Sequence, residues 1–522
     1  MEESKYIRLN NMYKSLKQID LDILAKFNNP VISDVDYFLY GIQNEIVSNT
    51  LNVLINYLTG NIESIGVDNS CRIILEALTI SAMNNNGDIT ETQKSIYRYS
   101  YAYVDLDNFK PLTTKAQLQE EPFKSLMADR NKCANYIKQH FNCEYEDIVK
   151  QDNGVDDPCF YLKKTLNDKL VFAKLIDKYF PNDKNLGQLY EFFSIMVHPR
   201  YEMDPGAEIV TMEVHQHFVD DILNLVADSL IDNNLLQNSK SNNDFNDDFF
   251  YNPLLANNVI NLYAMEFAFN LTIKNICDLP TGFDSFSWFF LEKTKYLVLD
   301  MMTSLSLGYT EHVIASFKPF MELFSIFYAI NTHGDLTEFE YLKKSCWISS
   351  RIQFNEHIKK YNMPASNHTY MEELQALFDN YYAAKYKVNS FNKFYDKYLH
   401  NSLYFLDDAK KSFNKFVRES INGISADDLQ NKEFMTLYKI SKDMAHASGY
   451  SFNATVDFVR VTSHRVLFTT LYVIYHFLLN AIETLAEHDV KVDLEDIKYA
   501  LELHMQIQID AIEQIYRRHY TD

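Results

Sequence analysis

The stretch "LYEFFSIMVHPR" at residues 189–200 recurs in altered form as "LYKISKDMAHAS" at residues 437–448. Both stretches place a Tyr eight positions before a His. Proline disfavours a helical conformation at the residue before it, so Pro199 predicts a helix that ends at about His198. A glycine follows three residues after His446, and glycine is the commonest residue just past the end of a helix. The sequence therefore predicts two related helices, each ending close to a His.

The composition predicts the same class of structure for the whole chain. Only 12 Gly and 11 Pro occur among 522 residues, well below average usage of about 7% and 5%. Turns and strand ends consume both residue types, so their scarcity indicates long helices joined by few tight turns. With 47% hydrophobic residues the chain can fill more than one core. We predict an all-α fold and exclude intrinsic disorder of the whole chain.

Further matches about 250 positions apart keep the same order along the chain, as a tandem duplication would. The segment between the two halves is rich in Asn, Asp and Ser and has no helical period, which is typical of a linker. We predict a first helical bundle at 1–231, a polar linker at 232–252 and a second bundle at 253–522. The matching segments are "NNPVISDVDYFLYG" (28–41) with "DLPTGFDSFSWFFL" (278–291), "SCRIILEALTISAMNNNGD" (70–88) with "SFKPFMELFSIFYAINTHGD" (316–335), and "QKSIYRYS" (93–100) with "KKSCWISS" (343–350).

The two histidines are candidates for acid or base chemistry. The C-terminal end of a helix favours a protonated imidazole, so His198 and His446 occupy positions where a proton could be held. Ser194 lies one turn before His198 and could hydrogen-bond its ring. The alternative is that each His only caps the carbonyl groups at its helix end.

A charged pair one helical turn apart also recurs. Arg72 and Glu76 in the first copy correspond to Lys318 and Glu322 in the second. The same charges at the same spacing indicate an ion pair that faces something specific, such as the His of the later helix. The alternative is an ordinary surface pair worth a few tenths of a kcal/mol.

A third cluster raises the question of a metal. His215 and His217 lie close together, and the second copy has His464. With a carboxylate and another His, they would supply enough ligands for a transition metal if the helices converge. The spacing matches no established zinc signature, and such histidines also occur as packing residues. We predict no cofactor, because the chain has no glycine-rich phosphate loop, nucleophile elbow or His-Glu-x-x-His motif.

The pattern of these residues resembles an uncharacterised family of all-helical bacterial proteins with a domain of unknown function. Its marks are an Arg-x-x-x-Glu helix followed by Tyr and Ser-x-x-x-His-Pro. The first copy matches at Arg72, Glu76, Tyr190, Ser194, His198 and Pro199, and the second keeps Glu322, Tyr438 and His446, with Lys318 in place of the Arg.

More distantly, paired helical bundles resemble the higher-eukaryote-and-prokaryote nucleotide-binding (HEPN) domains of toxin and phage-defence RNases. Those domains carry Arg-x(4–6)-His, and Arg and His from two paired domains form the RNA-cleaving cleft. Arg351 and His357 fit that spacing, whereas the first copy has Tyr101 and Asp107 at the matching positions. The resemblance implies a catalytic role for Arg351 and His357.

Charge and sequence features argue against some classes of binding partner. A net charge of −22 argues against an extended surface that wraps nucleic acid. The most apolar stretch, 466–482, falls short of the roughly 20 residues that a membrane span needs. The six Cys form no Cys-x-x-Cys pair, and no apolar signal segment opens the chain, so we expect a cytoplasmic protein without a membrane partner.

Three functions follow as hypotheses. The first is a toxin-like or abortive-infection effector of bacteria, acting on RNA, in which Glu76 and Glu322 orient the histidines. The second is a non-enzymatic module that binds a protein partner or senses a phage component. The third is a helical metal-binding enzyme.

Overall fold

The computed structural model describes residues 3–27, 31–60, 62, 64–103, 123–150, 159–183, 185–197, 208–232, 309–331, 369–395, 413–424 and 428–447, with isolated positions in 293–304 and 341–359. Throughout these residues the regular secondary structure is helical and contains no strand. The predicted all-α class is confirmed for this part of the chain. None of its helices combines the length and apolarity needed to cross a bilayer; the apolar stretch 466–482 lies outside the described residues.

The first half of the chain supplies most of the long helices. They are α1 (Glu3–Phe27), α2 (Asp34–Thr59), α3 (Ile65–Asn85), α4 (Glu91–Tyr99), α5 (Phe123–Phe141), α6 (Tyr145–Lys150), α7 (Phe172–Tyr179), α8 (Leu186–Met196) and α9 (Glu208–Asp232). A short 3-10 turn, Phe160–Leu162, lies between α6 and α7.

The described helices of the second half are also both long and short. They are α10 (Thr310–Asn331), α11 (Tyr370–Leu377, continued by a π turn at Phe378–Tyr382 and a last turn at Ala383–Tyr386), α12 (Phe391–Phe394), α13 (Phe413–Ile424) and α14 (Asp428–Met444). The two helices predicted to end near a His are α8 and α14. Each ends two residues before its His.

Local sequence fixes several helix ends. Ser33 caps α2, its hydroxyl accepting the backbone N–H of Asp36 at 3.0 Å, and Gly60 ends the helix in the left-handed conformation at φ 79°. Thr90 and Gln93 form a capping box at the start of α4. These contacts satisfy backbone groups that a helix end leaves without a partner.

Helices α3 and α10 lie at the centre of the packing. In the first half, α2 packs against α1, α3 and α4, and α3 also packs against α8. In the second half, α10 packs against α13 and α14. The two halves meet where α3 packs against α10. The segments that carry Arg72, Glu76, Lys318 and Glu322 therefore face one another.

One continuous apolar core runs through the first half and accepts two residues from the second, Tyr309 and Ala447. A smaller core, built around Tyr382 and Phe394, joins α11 and α12 to Ile348 and Ile352. The packing of the halves is thus part of the main core.

A stripe of charge crosses this core along α3. Asp68, Arg72 and Glu76 lie one helical turn apart and are 2%, 4% and 0% exposed. Arg72 and Glu76 are therefore not an ordinary surface pair. Burial of a charge costs free energy unless the charge is paired and hydrogen-bonded, so each of these side chains needs a partner on another helix.

Candidate functional site

The carboxylate of Glu76 is the centre of the site. It accepts a hydrogen bond from the Tyr190 hydroxyl of α8 at 3.0 Å and one from the backbone N–H of Ala447 at 3.0 Å. Nδ1 of His446 lies 3.3 Å from the same carboxylate. Its neighbours thus come from both halves of the chain.

Arg72 lies one helical turn before Glu76 and binds the segment that follows α14. Its guanidinium donates to the carbonyl oxygen of Ala445, and its Nε lies 3.8 Å from Oε1 of Glu76. The hydroxyl of Tyr161 donates to the carbonyl of Ala447 at 3.4 Å. The residues just past the end of α14 are therefore bound through their backbone as well as through the His446 ring.

This arrangement selects one form of the imidazole. Nδ1 of His446 faces a carboxylate, so it carries the proton and donates, which leaves the lone pair on Nε2. Nε2 makes no hydrogen bond to the described residues, and the side chain is 30% exposed. A neutral ring with a free, reachable lone pair can act as a general base.

The charges around His446 favour that neutral form. Burial lowers the pKa of His446, the positive charge of Arg72 lowers it further, and the carboxylate of Glu76 opposes both effects. Burial alone would raise the pKa of Glu76, but His446, Arg72 and the Ala447 N–H together lower it. Glu76 is therefore ionised, and His446 is predominantly neutral at pH 7.

A matching cluster lies on α10. Lys318 and Glu322 lie 3.7 Å apart (Nζ to Oε1), and the hydroxyl of Tyr438 on α14 donates to Glu322 at 3.2 Å. Both Lys318 and Glu322 are buried. The lysine, glutamate and tyrosine of this cluster thus contact one another as Arg72, Glu76 and Tyr190 do.

The structure brings together Arg72, Glu76 and His446 from the predicted set, at α3 and the turn after α14. Glu322 lies on α10 and contacts Lys318 and Tyr438 instead of His446. Ser194 lies on α8, one turn after Tyr190, and its buried hydroxyl has no hydrogen-bond partner among the described residues. His198, Arg351, His357 and His464 lie outside the described residues.

The two metal candidates within the described residues, His215 and His217, do not converge. Nε2 of His215 lies 2.6 Å from Oδ1 of Asp68, with both side chains buried. His217 is 61% exposed and lies 3.8 Å from Asp221. No group of three or more His, Cys, Asp or Glu suited to a metal occurs in the described ranges. Among these residues, His215 serves to pair the buried Asp68 on α3.

Sequence reasoning missed Tyr161, which contacts the site, and Asp68, which lies on the same helix as Arg72 and Glu76. Tyr161 gave no signal, because it belongs to a short turn without a repeat. Asp68 had a signal, since it precedes Arg72 by one helical turn and so continues the charged face of α3.

Comparison of the chain with models of protein families, with curated proteins and with solved structures finds no match.

Proposed function

We propose that this protein is an RNA-directed effector made of two tandem helical bundles, with a general acid–base site where the bundles meet. The tandem arrangement is supported by the equal contacts within the clusters Arg72–Glu76–Tyr190 and Lys318–Glu322–Tyr438. The choice of RNA as substrate is supported by the resemblance to paired HEPN domains, which also use groups from two bundles.

The observation that carries the proposal is the pairing of His446 with Glu76. A fully buried carboxylate holds Nδ1 at 3.3 Å, while the opposite nitrogen has no partner among the described residues and the ring is partly exposed. Carboxylate–histidine pairs of this geometry orient a base and stabilise the imidazolium that forms when it takes a proton.

In the proposed reaction, Nε2 of His446 takes the proton of an RNA 2′-hydroxyl. The 2′-oxygen bonds to the adjacent phosphorus, the bond from phosphorus to the 5′-oxygen breaks, and the leaving oxygen takes a proton from water. The hydroxide that remains takes the proton from the His446 ring, which returns the ring to its neutral form. The products are a 2′,3′-cyclic phosphate and a 5′-hydroxyl. Arg72 and Lys318 would offset negative charge at the phosphate.

The test compares RNA cleavage by the purified protein with cleavage by His446→Ala and Glu76→Gln. Loss of a positioned acid–base group lowers a rate by about 10²- to 10⁴-fold, and we expect losses in that range for both variants. His217→Ala is the matched control, because His217 is exposed and lies on α9. Cleavage by His446→Ala at the wild-type rate would overturn the proposal.

A second candidate function has its own support in the backbone contacts of the site. Arg72 binds the carbonyl of Ala445 and Glu76 binds the N–H of Ala447, as in a clasp that only joins two parts of a binding module. If these contacts only join two parts of the protein, Glu76→Gln should lower the unfolding temperature, and neither the wild type nor any variant should cleave RNA. The same set of proteins therefore separates the catalytic hypothesis from the non-enzymatic one.

A further inference from the structure

A cavity of about 100 Å³ lies where the C-terminal part of α3 meets the middle of α2 and the end of α9. One wall of the cavity is apolar and comes from α2, where residues three or four positions apart share a face of the helix. The apolar residues of this wall are Phe38, Leu39, Ile42, Ile46 and Val47. All of them except Leu39 are buried in the main core, so the wall is formed before any ligand binds.

The rest of the lining is polar and uncharged. Ser81, Asn84 and Asn85 belong to α3, Gln43 to α2 and Ser229 to α9. Asn85 is exposed and the other four are half-buried, which places the opening to solvent beside Asn85. No charged side chain belongs to the described lining. Since a buried ion needs an opposite charge, the cavity suits an uncharged ligand.

The carboxamide of Asn84 points to the polar groups that such a ligand would carry. Its Oδ1 is buried and accepts no hydrogen bond from the described residues. A buried acceptor without a donor is unfavourable, and few are left so in folded proteins. The terminal torsion of an Asn turns over a broad range at little cost, so the carboxamide can face a molecule in the cavity. A ligand with a hydrogen-bond donor would satisfy this oxygen.

A pyrimidine base has the size and the edge that this lining requires. A cavity of about 150 Å³ holds a benzene molecule, so a space of about 100 Å³ that opens to solvent admits a single six-membered ring. Uracil presents N3–H beside O4, and a carboxamide can accept from the first group and donate to the second. Cytosine presents N4–H beside N3, which matches the carboxamide in the same way. A purine has a second ring, which exceeds this space.

We propose that the cavity binds a pyrimidine base, with the Asn84 carboxamide on its Watson–Crick edge and the apolar wall of α2 against its ring. The base site is separate from the Glu76 cluster, because Asn84 follows Glu76 by two turns of α3, about 12 Å along the helix axis. The proposal goes beyond RNA cleavage, since a free nucleoside and a nucleotide of RNA present the same base.

The first experiment uses uridine as the probe. Its binding to the full-length protein is measured by calorimetry and by the rise of the unfolding temperature. We expect saturable binding, and binding at least about tenfold weaker for 3-methyluridine, which keeps the ring but lacks the N3–H donor. Adenosine should also bind at least about tenfold more weakly, because its base has two rings.

Two variants test the lining. Asn84→Leu replaces the carboxamide by an apolar group of similar size and should weaken uridine binding at least about tenfold. Its unfolding temperature should not fall, because Oδ1 loses no hydrogen bond to the described residues. Ser81→Leu keeps the carboxamide but fills the cavity, and should abolish binding. Asn135→Leu is the matched control, because Asn135 is exposed on α5, outside the cavity.

Three results would each overturn the base site. They are the absence of saturable uridine binding to the wild type, equal binding of 3-methyluridine, and unchanged uridine binding by Asn84→Leu. The first two do not depend on any variant that must fold.

A second arm distinguishes a free nucleoside from RNA as the source of the base. An oligonucleotide of deoxyuridine has no 2′-hydroxyl and is not cut by the proposed reaction, so it should displace uridine if the site takes a base from a nucleic acid strand. Uridine binding without displacement would keep the base site and assign it to a free pyrimidine nucleoside. His446→Ala should bind uridine as the wild type does, so RNA cleavage by this variant tests the proposed function alone.

Discussion

At the scale of single residues, Glu76 decides what the site can do. Three donors reach its buried carboxylate, the Tyr190 hydroxyl, the Ala447 N–H and Nδ1 of His446. Because the folded state lowers the pKa of Glu76, this group stabilises the fold above its usual pKa of about 4.3, and the contribution is lost as the pH falls through the lowered value. Glu76 is thus a permanent negative charge at neutral pH, which is what a positioning partner for His446 requires.

Replacement of Glu76 by Gln should lower the pKa of the His446 ring further. Burial and Arg72 lower this pKa and Glu76 raises it, so loss of the carboxylate leaves only the lowering effects. The pKa of His446 can be measured from its ring signals by NMR during a pH titration. We expect this pKa to lie below the ordinary value of about 6.5 in the wild type and lower still in the variant. The exposed His217 is the internal reference, and an unchanged or raised pKa for His446 would contradict the assigned pairing.

The sequence identified Arg72, Glu76 and His446 because each belongs to a pattern that occurs twice. It could not predict that a carboxylate of the first half meets a histidine of the second, since pairing across about 370 positions depends on how α3 and α14 pack. The sequence also suggested a ligand role for His215, but the buried Asp68 takes its Nε2. Periodicity identifies the face of a helix that carries a residue and leaves its partner undetermined.

At the scale of elements, the halves are joined by a polar seam along α2. Nδ2 of Asn56 donates to Asp300 at 2.7 Å, the hydroxyl of Ser304 donates to Asn52 at 2.9 Å, and the backbone of Ser48 accepts from His312 at 3.0 Å. These groups are buried, so a shift of one helix along another would leave several of them without partners. The seam therefore specifies the register in which α2 packs against the second half.

Asp300 makes this seam sensitive to pH. Burial raises its pKa to about 6, partly offset by hydrogen bonds from Asn56 and Ser316. A carboxyl group with a raised pKa holds its proton more tightly in the folded than in the unfolded state. Its contribution to stability is therefore full below about pH 4 and is lost as the pH rises through about 6, at a cost of about 3 kcal/mol above that range.

The neutral variant Asp300→Asn should remove this cost. It keeps an acceptor for Asn56 and offers a donor to the Ser316 hydroxyl. We expect it to be more stable than the wild type by about 1–3 kcal/mol at pH 8 and nearly equal at about pH 4, as measured by denaturant midpoints at both pH values.

Asp88→Asn is the control for that measurement. Asp88 is exposed, and hydrogen bonds from Tyr179 and Lys178 lower its pKa, so the variant should gain nothing at pH 8. If the stability of Asp300→Asn depended on pH in the same way as that of the wild type, the pH dependence would not come from Asp300.

At the scale of the whole molecule, the all-α class was predictable because glycine and proline scarcity acts on every segment of the chain. The packing of the two halves against each other was not predictable, because the composition of the segment 232–252 is typical of a linker between separate bundles. In the structure, Tyr309 and Ala447 of the second half pack into the main core of the first, and α3 packs against α10. Composition predicts which segments lack helical periodicity, but it carries little information on which helices of the two halves pack together.

These contacts predict that the halves stay together when the chain between them is cut. A protease site inserted within 232–252 and cleaved under native conditions should give a protein that elutes as one species and separates only in denaturant. The same cut in Arg72→Met should come apart at a lower denaturant concentration, because the carbonyl of Ala445 loses the donor from α3. Arg8→Met is the matched control, since the bond of Arg8 to Asn224 is exposed and lies within the first half. Separation of the wild-type halves on cleavage alone would mean that the covalent connection through 232–252, and not the interface of α3 with α10 and with the turn after α14, holds the two halves together.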